Sequence, residues 1–422
     1  MTSKERVVAA VDRRPPDRVP IDFGSTAVTG IHVSCVAALR DRYGLERRPV
    51  KLHEPFQMLG LVEEDLKQAI GVDVDGVFRR NTKFGFPADG WKPWRTQQGL
   101  EVLLPGGFNT TTDANGDILL HPEGDLSAPP SGRMTSGGYF FDAIVRQEPI
   151  VEENLNPEDN LEEFQPIAAG EVAWLQAALQ DVSASGRAIM ASFGGTSFGD
   201  IAMVPGLSLK RPKGIRDISE WYMSTSSRRE YIHAVFSRQC EIALANLAAI
   251  HAAAGGLVDI VYICGTDFGT QTGTFCSVKT FRDLWFPYYR RVNDWIHTHT
   301  RWKTFKHSCG SVDRFVPSFI EAGFDILNPL QCSAANMDAE HLKAEYGGSI
   351  ALWGGGVDSQ KVLPFGTPSD VRKQVLERCR VFSRGGGFVF NSIHNVQAET
   401  PVENIVAMID AVHEFNGVAV HA

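Results

Sequence analysis

The sequence predicts a (β/α)₈ TIM barrel that carries a β-rich insertion, and three observations support this fold class. After Pro157, helical stretches alternate strictly with short apolar runs of β character. Two further β-like runs lie near the N-terminus and bring the number of predicted strands to eight. A chain of 422 residues is long for one ordinary domain but suits one barrel with an insertion. A doubly wound parallel sheet would show the same alternation and is the alternative fold.

The first part of the chain contains two of the eight predicted strands. The first spans residues 18–24, where Val-Pro-Ile-Asp-Phe-Gly ends in a loop, and the second spans residues 71–78. Between them, apolar residues recur at helical spacing over 33–43 and 56–70, which predicts a helix in each segment.

Residues 79–150 have a different character from the rest of the chain. Gly, Pro, Thr and Trp dominate, and the short alternating runs 100–104 and 118–121 meet turn signals such as Asn115-Gly116. We therefore expect a β-rich insertion that caps the mouth of the barrel, within a single domain that spans residues 1–422.

The remaining elements follow in regular order after Pro157. Helices are predicted at 161–164, 170–183, 218–224, 228–254, 278–298, 311–322, 338–346, 368–382 and 401–415. The strands between them are predicted at 188–193, 258–264, 302–306, 326–328, 350–353 and 388–390. The carboxyl ends of barrel strands converge on one site, so the residues that follow each strand are the candidates for function.

Composition excludes several classes of protein. Lys and Arg together number 41 against 50 Asp and Glu, and the net charge of −9 argues against nucleic acid as a partner. There is no basic run for an anionic membrane and no apolar stretch long enough to cross a bilayer. The seven scattered cysteines favour reduced thiols, so we expect a cytoplasmic protein.

Four residues at predicted strand ends are candidate zinc ligands. His307 and Cys309 follow one strand, Cys332 follows the next, and His394 follows the last. Neutral imidazole and thiolate are donors that zinc prefers, and a catalytic zinc site leaves one position open for substrate. The alternatives are a hydrogen-bonded core histidine beside an inert thiol for the first pair, and a packed thiol for Cys332. For His394 they are a substrate hydrogen-bond donor or a proton carrier.

Other polar groups at strand ends are candidates for catalysis or cofactor binding. The candidate catalytic residues are Asp22, Asp267, Gln331 and Asp358. For Asp267, an ordinary turn-capping role is equally consistent with the sequence. The run Gly354, Gly355 and Gly356 lacks the Lys-Ser/Thr of a P-loop. We instead expect these glycines to let the backbone approach a bound cofactor or ligand closely.

Several segments together resemble the uroporphyrinogen decarboxylase superfamily. They are the opening segment 3–20, the His-Ser-Cys-Gly-Ser motif at 307–311, and the motifs at 321–331, 363–368 and 394–405. The resemblance covers most of the chain outside 79–150. It implies a (β/α)₈ barrel and one of two chemistries, namely metal-free decarboxylation of porphyrinogen acetates or zinc-dependent methyl transfer involving a corrinoid.

Two features favour the methyltransferase branch of that superfamily. The decarboxylases carry arginines in an N-terminal loop that hold the substrate carboxylates, whereas the corresponding segment 22–30 contains no arginine. The methyltransferases have an H-x-C pair, here His307 and Cys309, and a later cysteine near the last strand. This chain has Asn-Ser-Ile-His at 391–394 in its place, so His394 or Cys332 would supply the third zinc ligand.

The resemblance thus implies a zinc-dependent methyltransferase that acts on a small methylated substrate or acceptor in a demethylation system. The chain lacks the D-x-H-x-x-G signature of corrinoid-binding modules, so a separate corrinoid protein would be its partner. Two alternatives remain: a carboxylate decarboxylase that uses Asp22 or Asp267, and a non-enzymatic zinc- or ligand-binding barrel. The identity of the methylated compound, the direction of transfer and the formation of a homodimer stay open.

Overall fold

The structure is a computed structural model that describes residues 1–418. Its sixteen strands are β1 (Ile31–His32), β2 (Val50–Glu54), β3 (Leu59–Gly60), β4 (Val74–Val77), β5 (Lys92–Arg95), β6 (Glu101–Leu104), β7 (Thr110–Thr112), β8 (Ile118–Leu120), β9 (Gly132–Met134), β10 (Asp142–Ala143), β11 (Ala188–Ala191), β12 (Ile260–Cys264), β13 (Lys303–His307), β14 (Ile326–Asn328), β15 (Ala351–Trp353) and β16 (Phe388–Val389).

The thirteen α-helices of the described residues are α1 (Ser3–Val11), α2 (Val33–Arg42), α3 (Glu64–Ile70), α4 (Ala169–Ser183), α5 (Ile218–Ser227), α6 (Arg229–Ala254), α7 (Val278–Leu284), α8 (Phe286–His299), α9 (Val316–Glu321), α10 (Ala339–Tyr346), α11 (Val362–Phe365), α12 (Pro368–Phe382) and α13 (Val402–Phe415). Several begin directly after a capping side chain. Asp217, Ser277, Asp338 and Thr367 each accept a backbone N–H of the first helical turn, which satisfies a donor that the helix itself leaves free.

A seven-stranded parallel sheet forms the centre of a TIM-barrel-like α/β fold. The strand order is β16-β15-β14-β13-β12-β11-β4, so strands that follow one another after the insertion are also neighbours in space. The strand predicted at 18–24, the first of the eight, is wrong as a strand, because this segment forms only one bridge, between Ile21 and Phe390. On its other side, the Ile21 carbonyl accepts the N–H of Asp73 at 2.8 Å. Residue 21 therefore lies between the two edges of the sheet.

Helix α1 covers the amino-terminal end of the sheet. Its residues Val7, Ala10 and Val11 pack in one buried cluster to which all seven sheet strands contribute, for example through Phe305 and Trp353. Lys4 pairs with Asp259 immediately before β12, at 2.9 Å. This helix was not predicted from the sequence. Because α1 fills the amino-terminal end, the carboxyl ends of the strands remain as the face available for a site.

Residues 79–150 contain six short strands and no α-helix. Strands β5 and β6 join a five-stranded sheet with β1, β2 and β3, and strands β7 to β10 form a separate four-stranded antiparallel sheet. The insertion contacts loops that follow barrel strands. The Ser131 hydroxyl donates to the Leu207 carbonyl at 2.7 Å, and the Tyr139 hydroxyl donates to Glu399 at 2.9 Å.

Most of the predicted helices and strands after Pro157 are confirmed to within a few residues. Three predicted helices differ. Residues 161–164 fall at the end of a 3₁₀ helix, the helix predicted at 278–298 is divided into α7 and α8, and α9 is preceded by a 3₁₀ turn. In the first part of the chain the helix predicted at 56–70 is wrong over its first half, where β3 lies. None of the helices in residues 1–418 is both long and apolar enough to cross a membrane.

Candidate active site

The pairing of β13 with β14 places His307 beside Asn328. These residues are direct partners in the parallel register, and both end their strands. Alternation along β13 puts His307 on the same face as Phe305, which belongs to the buried cluster that the sheet strands form with α1. The His307 Nδ1 and the Asn328 Oδ1 lie 2.6 Å apart, so the ring nitrogen donates to the amide oxygen. This hydrogen bond leaves Nε2 as the nitrogen with a free lone pair.

Three of the predicted metal ligands come together at this point. Ligand atoms of His307, Cys309 and His394 all lie within 4.8 Å of one another, the one group of this kind among the described residues. The Cys309 Sγ lies 3.3 Å from the His307 Nε2, and the centroids of the two imidazole rings are 5.5 Å apart. The His394 Nδ1 contacts the Asn395 side-chain oxygen at 2.9 Å. Nitrogen and sulfur donors at these separations suit zinc.

Burial determines the protonation of the three side chains. It holds the pKa of His307 well below its ordinary value, with the nearby His394 acting in the same direction. Burial likewise lowers the pKa of His394. Burial and the Asp267 carboxylate raise the pKa of the Cys309 thiol well above its ordinary value. Both imidazoles are therefore neutral, the form that binds a metal ion, and the thiol would lose its proton when a metal binds.

Asp267 and Gln331 hold the loop that carries Cys309. The Asp267 Oδ1 accepts the Cys309 N–H at 2.6 Å and lies 4.0 Å from the His307 Nε2. The Gln331 side-chain oxygen accepts the N–H of Gly310 at 2.7 Å. Burial raises the pKa of Asp267 to about 6. Asp267 and Gln331, two of the four predicted catalytic residues, thus border the donor group and fix the backbone at Cys309 and Gly310.

Cys332 and Asp358 lie apart from this group. The Cys332 Sγ is not among the three donors that come together, and burial raises the pKa of its thiol to about 11. The Asp358 carboxylate accepts the N–H groups of Gln360 and Lys361 in its own turn. The structure gives Cys332 the environment of a packed thiol and gives Asp358 a turn-capping role.

The three glycines at 354–356 are required by packing against protein. Their N–H groups donate to the carbonyls of Val389, Ser392 and Asn391. A side chain at Gly355 or Gly356 would come within 3 Å of Leu330 or Phe390. We therefore correct the expectation for these glycines: the atoms that they approach closely belong to neighbouring loops, and their backbone donors are already bonded.

Asp22 is fully buried and its oxygens are occupied. They accept the Ser25 N–H and hydroxyl, at 3.2 and 2.7 Å, and the Trp353 indole N–H at 3.1 Å. Burial raises the pKa of this carboxyl to about 6. Through these bonds Asp22 links the segment around residue 21 to Trp353 of β15. A buried carboxyl with these partners has a structural role and does not face a ligand.

The residues that surround the donor group were not predicted from the sequence. Asn328 and Asn395 each bind an imidazole of the group, and Lys306 is a fully buried lysine that donates to the carbonyls of Thr266 and His307 at 2.6 Å. Asn328 lay within a recognised motif but carried no signal of its own. Lys306 carries no clear signal either, because most residues of its strand Lys303–His307 are polar.

Comparison with known proteins identifies both a family and a fold. Residues 143–415 match the family model described as uroporphyrinogen decarboxylase (URO-D). Uroporphyrinogen decarboxylases from Actinobacillus succinogenes and Psychromonas ingrahamii are 33% identical over 89 residues and 32% identical over 80 residues. These stretches cover 20% and 19% of this chain and 24% and 22% of those proteins. The matched part thus spans about a quarter of the length of these relatives.

A solved structure extends the likeness to the whole chain. A methyltransferase from Methanosarcina mazei aligns with a TM-score of 0.55 and 16% sequence identity. The alignment covers 98% of this chain and 99% of that chain. At this level of identity the likeness is one of fold.

Proposed function

The chain belongs to the uroporphyrinogen decarboxylase family, and we propose that within this family it is a zinc-dependent methyltransferase. It would move a methyl group between a small methylated compound and a corrinoid. The observation that carries the proposal is the convergence of His307, Cys309 and His394 at the carboxyl ends of the strands. The whole-chain likeness in fold to a methyltransferase supports it as an analogy.

In this proposal His307 and Cys309 hold the zinc ion, and His394 rather than Cys332 is the third ligand, since its nitrogen lies within reach of the other two donors. Zinc bound here would act as a Lewis acid on a thiol or on the oxygen of a methyl ether. Asn328 fixes the tautomer and orientation of His307, and Asp267 fixes the backbone of Cys309.

A corrinoid would supply the cobalt that takes up or gives the methyl group, and its transfer to or from the small compound would require both molecules at the mouth of the barrel. We propose that residues 79–150 cover part of this mouth, because Ser131 and Tyr139 contact loops that follow barrel strands. A separate protein would bring the corrinoid to this mouth. Its transient interface would lie near Asp358 and the 131–138 loop.

Two observations weigh against a decarboxylase. The segment 22–30 has no arginine that could pair with substrate carboxylates. Asp22, one of the two carboxylates that could stabilise the protonated pyrrole, is fully buried with its oxygens bonded to Ser25 and Trp353. Asp267, the other candidate, accepts the Cys309 N–H and lies 4.0 Å from the His307 Nε2.

The metal content of the purified chain tests the first half of the proposal. Elemental analysis should find about one zinc per chain, because three preorganised donors bind zinc tightly. Cys309→Ser and His394→Ala should each lose the zinc, whereas the matched control Cys332→Ser should keep it. Zinc retained by both ligand variants, or lost from the Cys332→Ser protein alone, would contradict this assignment.

Turnover tests the second half and separates an enzyme from a zinc-binding barrel. With a methylated thiol or ether and free reduced cobalamin, the zinc-loaded chain should form methylcobalamin, which is followed by its visible spectrum. Omission of the corrinoid should abolish product formation. Product formed without any corrinoid, above all release of carbon dioxide, would favour the decarboxylase.

A further inference from the structure

Tyr262 places a hydroxyl beside the donor group from the neighbouring strand. In the parallel register of β12 and β13 its direct partner is Phe305, two residues before His307. The two aromatic rings have centroids 5.7 Å apart, and Tyr262 packs against the buried cluster to which Phe305 belongs. Tyr262 therefore points to the same side of the sheet as His307, one layer nearer the amino-terminal end.

The Tyr262 hydroxyl has no hydrogen-bond partner among the described residues, and it is not enclosed. The side chain is partly exposed, and its oxygen is not one of the fully buried polar atoms that lack a partner. The hydroxyl therefore reaches open space at the carboxyl ends of the strands. Tyrosine hydroxyls that are packed into a core usually find a partner in the protein, so this one is left free for a ligand.

The Asp200 carboxylate lies close to this hydroxyl, at Gly265. A Cβ placed on Gly265 would lie 2.5 Å from the Tyr262 hydroxyl and 3.1 Å from the Asp200 Oδ2, so glycine leaves room for both groups. The Asp200 Oδ1 accepts the N–H of Ala202 at 3.0 Å. The Oδ2 has no hydrogen-bond partner among the described residues and is not fully buried. One free donor and one free acceptor thus face the same space.

The surroundings of the Tyr262 hydroxyl keep it protonated. Burial of the ring, together with the Asp200, Cys264 and Asp267 side chains, holds the pKa of Tyr262 well above its ordinary value. Cys309 acts in the same direction, which places the hydroxyl near the donor group. At neutral pH the hydroxyl is therefore a hydrogen-bond donor.

The charges around this position are mixed. Asp200 and Asp267 are acidic, and the Lys306 ammonium offsets part of the Asp267 charge. Alternation along β13 turns Lys306 to the side opposite His307, and its ammonium donates to the carbonyls of Thr266 and His307. The rings around the ammonium are those of Phe268, Tyr289 and Phe319. Hydrogen bonding to Tyr262 and Asp200, more than net charge, then selects the ligand group.

We infer that Tyr262 and Asp200 bind the polar group of the methylated compound, and that this group is uncharged and both accepts and donates a hydrogen bond, as a carboxamide or a hydroxyl does. Tyr262 donates to the oxygen of the group, and the Asp200 Oδ2 accepts its N–H or O–H. Both are then specificity-determining residues. The inference deepens the proposed function, because it names a group of the substrate, and it rests on that function only for the reaction.

Binding of three small probes to the purified full-length chain tests the inference. Acetamide has an acceptor and a donor, acetate has only acceptors, and methylammonium has only donors. Ligand-detected NMR titrations contain EDTA, so that no probe binds through zinc. Acetamide should bind with a dissociation constant on the order of millimolar, and the other two at least about fivefold more weakly. Absence of acetamide binding, or tighter binding of either charged probe, would overturn the inference.

Tyr262→Phe isolates the contribution of the hydroxyl. The dissociation constant of acetamide should rise about five- to tenfold, whereas that of methylammonium, which has no acceptor, should stay within about twofold. Tyr43→Phe is the matched control, because the Tyr43 hydroxyl also lacks a partner but lies at the end of α2, and it should bind acetamide as the parent chain does. Equal binding of acetamide to the parent chain and Tyr262→Phe would overturn the role of this hydroxyl.

Asp200→Asn tests the acceptor by reversing the order of two probes. The Ala202 N–H holds the oxygen of the new side chain and turns its NH₂ group to the probe, where the Oδ2 was. Acetate should then bind more tightly than acetamide. Acetamide that remains the tighter probe, by the same ratio as in the parent chain, would overturn the role of Asp200.

Failure of this inference and failure of the proposed function give different results. The binding measurements need neither zinc nor corrinoid. Acetamide bound as expected by a chain whose Cys309→Ser variant keeps its zinc would leave the roles of Tyr262 and Asp200 intact and reject the metal site. Zinc lost as expected from a chain that binds no acetamide would do the reverse.

Discussion

Among single residues, Asn328 shows how a neighbouring side chain orients an imidazole for metal binding. Its side-chain oxygen accepts the His307 Nδ1–H, and its side-chain nitrogen donates to the Trp353 carbonyl at 3.1 Å, which fixes the amide in place. The imidazole then has one tautomer and one orientation, with Nε2 directed at the Sγ of Cys309.

Replacement of Asn328 by Ala should therefore weaken zinc binding about 10- to 100-fold while all three ligands remain. Competition with a chromophoric chelator measures this affinity. Asn404→Ala is the control, because Asn404 is also a buried amide that donates to backbone carbonyls, those of Leu363 and Gly366. Equal zinc affinities in the two variants would show that His307 needs no such orientation.

The pKa of Asp22 predicts a dependence of stability on pH. Burial raises this pKa from 3.8 to about 6, so the folded chain holds the proton more tightly than the unfolded chain does. The contribution of Asp22 to the free energy of unfolding should therefore fall as the pH rises from about 4 to about 6, by up to about 3 kcal/mol, and stay level above.

Urea unfolding of the parent chain and of Asp22→Asn across this range isolates that contribution. Asparagine has one acceptor oxygen and an NH₂ group where Asp22 has two oxygens, so it cannot accept both the Ser25 N–H and the Trp353 N–H, and the variant should be less stable at low pH. The difference between the two proteins should then shrink as the pH rises to about 6. A difference that stays constant with pH would contradict the raised pKa.

At the level of elements, helix α1 depends on one buried arginine. Arg6 donates to Asp17 at 2.7 Å and to Asp73 at 2.8 Å, and Asp73 is completely buried. These bonds attach the helix to the residue that precedes β4. They help to hold the apolar face of α1 against the amino-terminal end of the sheet.

Arg6→Ala should lower the free energy of unfolding by about 3 kcal/mol, because it removes one partner of a buried charge pair. Chemical denaturation provides the measurement. Arg14→Ala serves as the control, since Arg14 pairs with Asp12 at the exposed end of the same segment and should contribute less than about 1 kcal/mol. Similar losses of unfolding free energy in both variants would show that the buried pair contributes no more to stability than the exposed pair does.

For the whole molecule, the relation between the insertion and the barrel is the important feature. Ser131 is fully buried, and its hydroxyl donates to the Leu207 carbonyl in the loop region that follows β11. Arg146 donates to carbonyls of the same region, those of Gly206 and Leu209, at 2.5 Å. These contacts hold the insertion against the loops of the proposed mouth.

Loss of the Ser131 hydroxyl should loosen this attachment locally. In Ser131→Ala, amide hydrogen exchange over residues 131–134 and 206–209 should become about fivefold faster, because one buried hydrogen bond contributes about 1 kcal/mol. Ser127→Ala, which removes an exposed hydroxyl of the same insertion that bonds only to Asp125, should leave these rates unchanged. Exchange that accelerates equally in both variants would argue against the attachment.

The sequence by itself determined the order of the elements and the placement of the chemistry. Period and spacing are local properties, so the alternation after Pro157 and the position of His307 and Cys309 at the end of a strand could be read from neighbouring residues. The position of α1 could not be read in this way, because its short apolar face packs against residues from all seven strands of the sheet, which are distant in the sequence. Similarly, residues 18–24 have the composition of a strand, yet they form only a single bridge, between Ile21 and Phe390.

Only the tertiary structure decided which distant residues meet. Cys332 and His394 were equivalent candidates in the sequence, and the path of the loop after β16 brings the His394 ring to His307 while Cys332 stays outside the donor group. Contacts between residues far apart in the chain depend on the packing of several elements at once, and no local pattern records that packing.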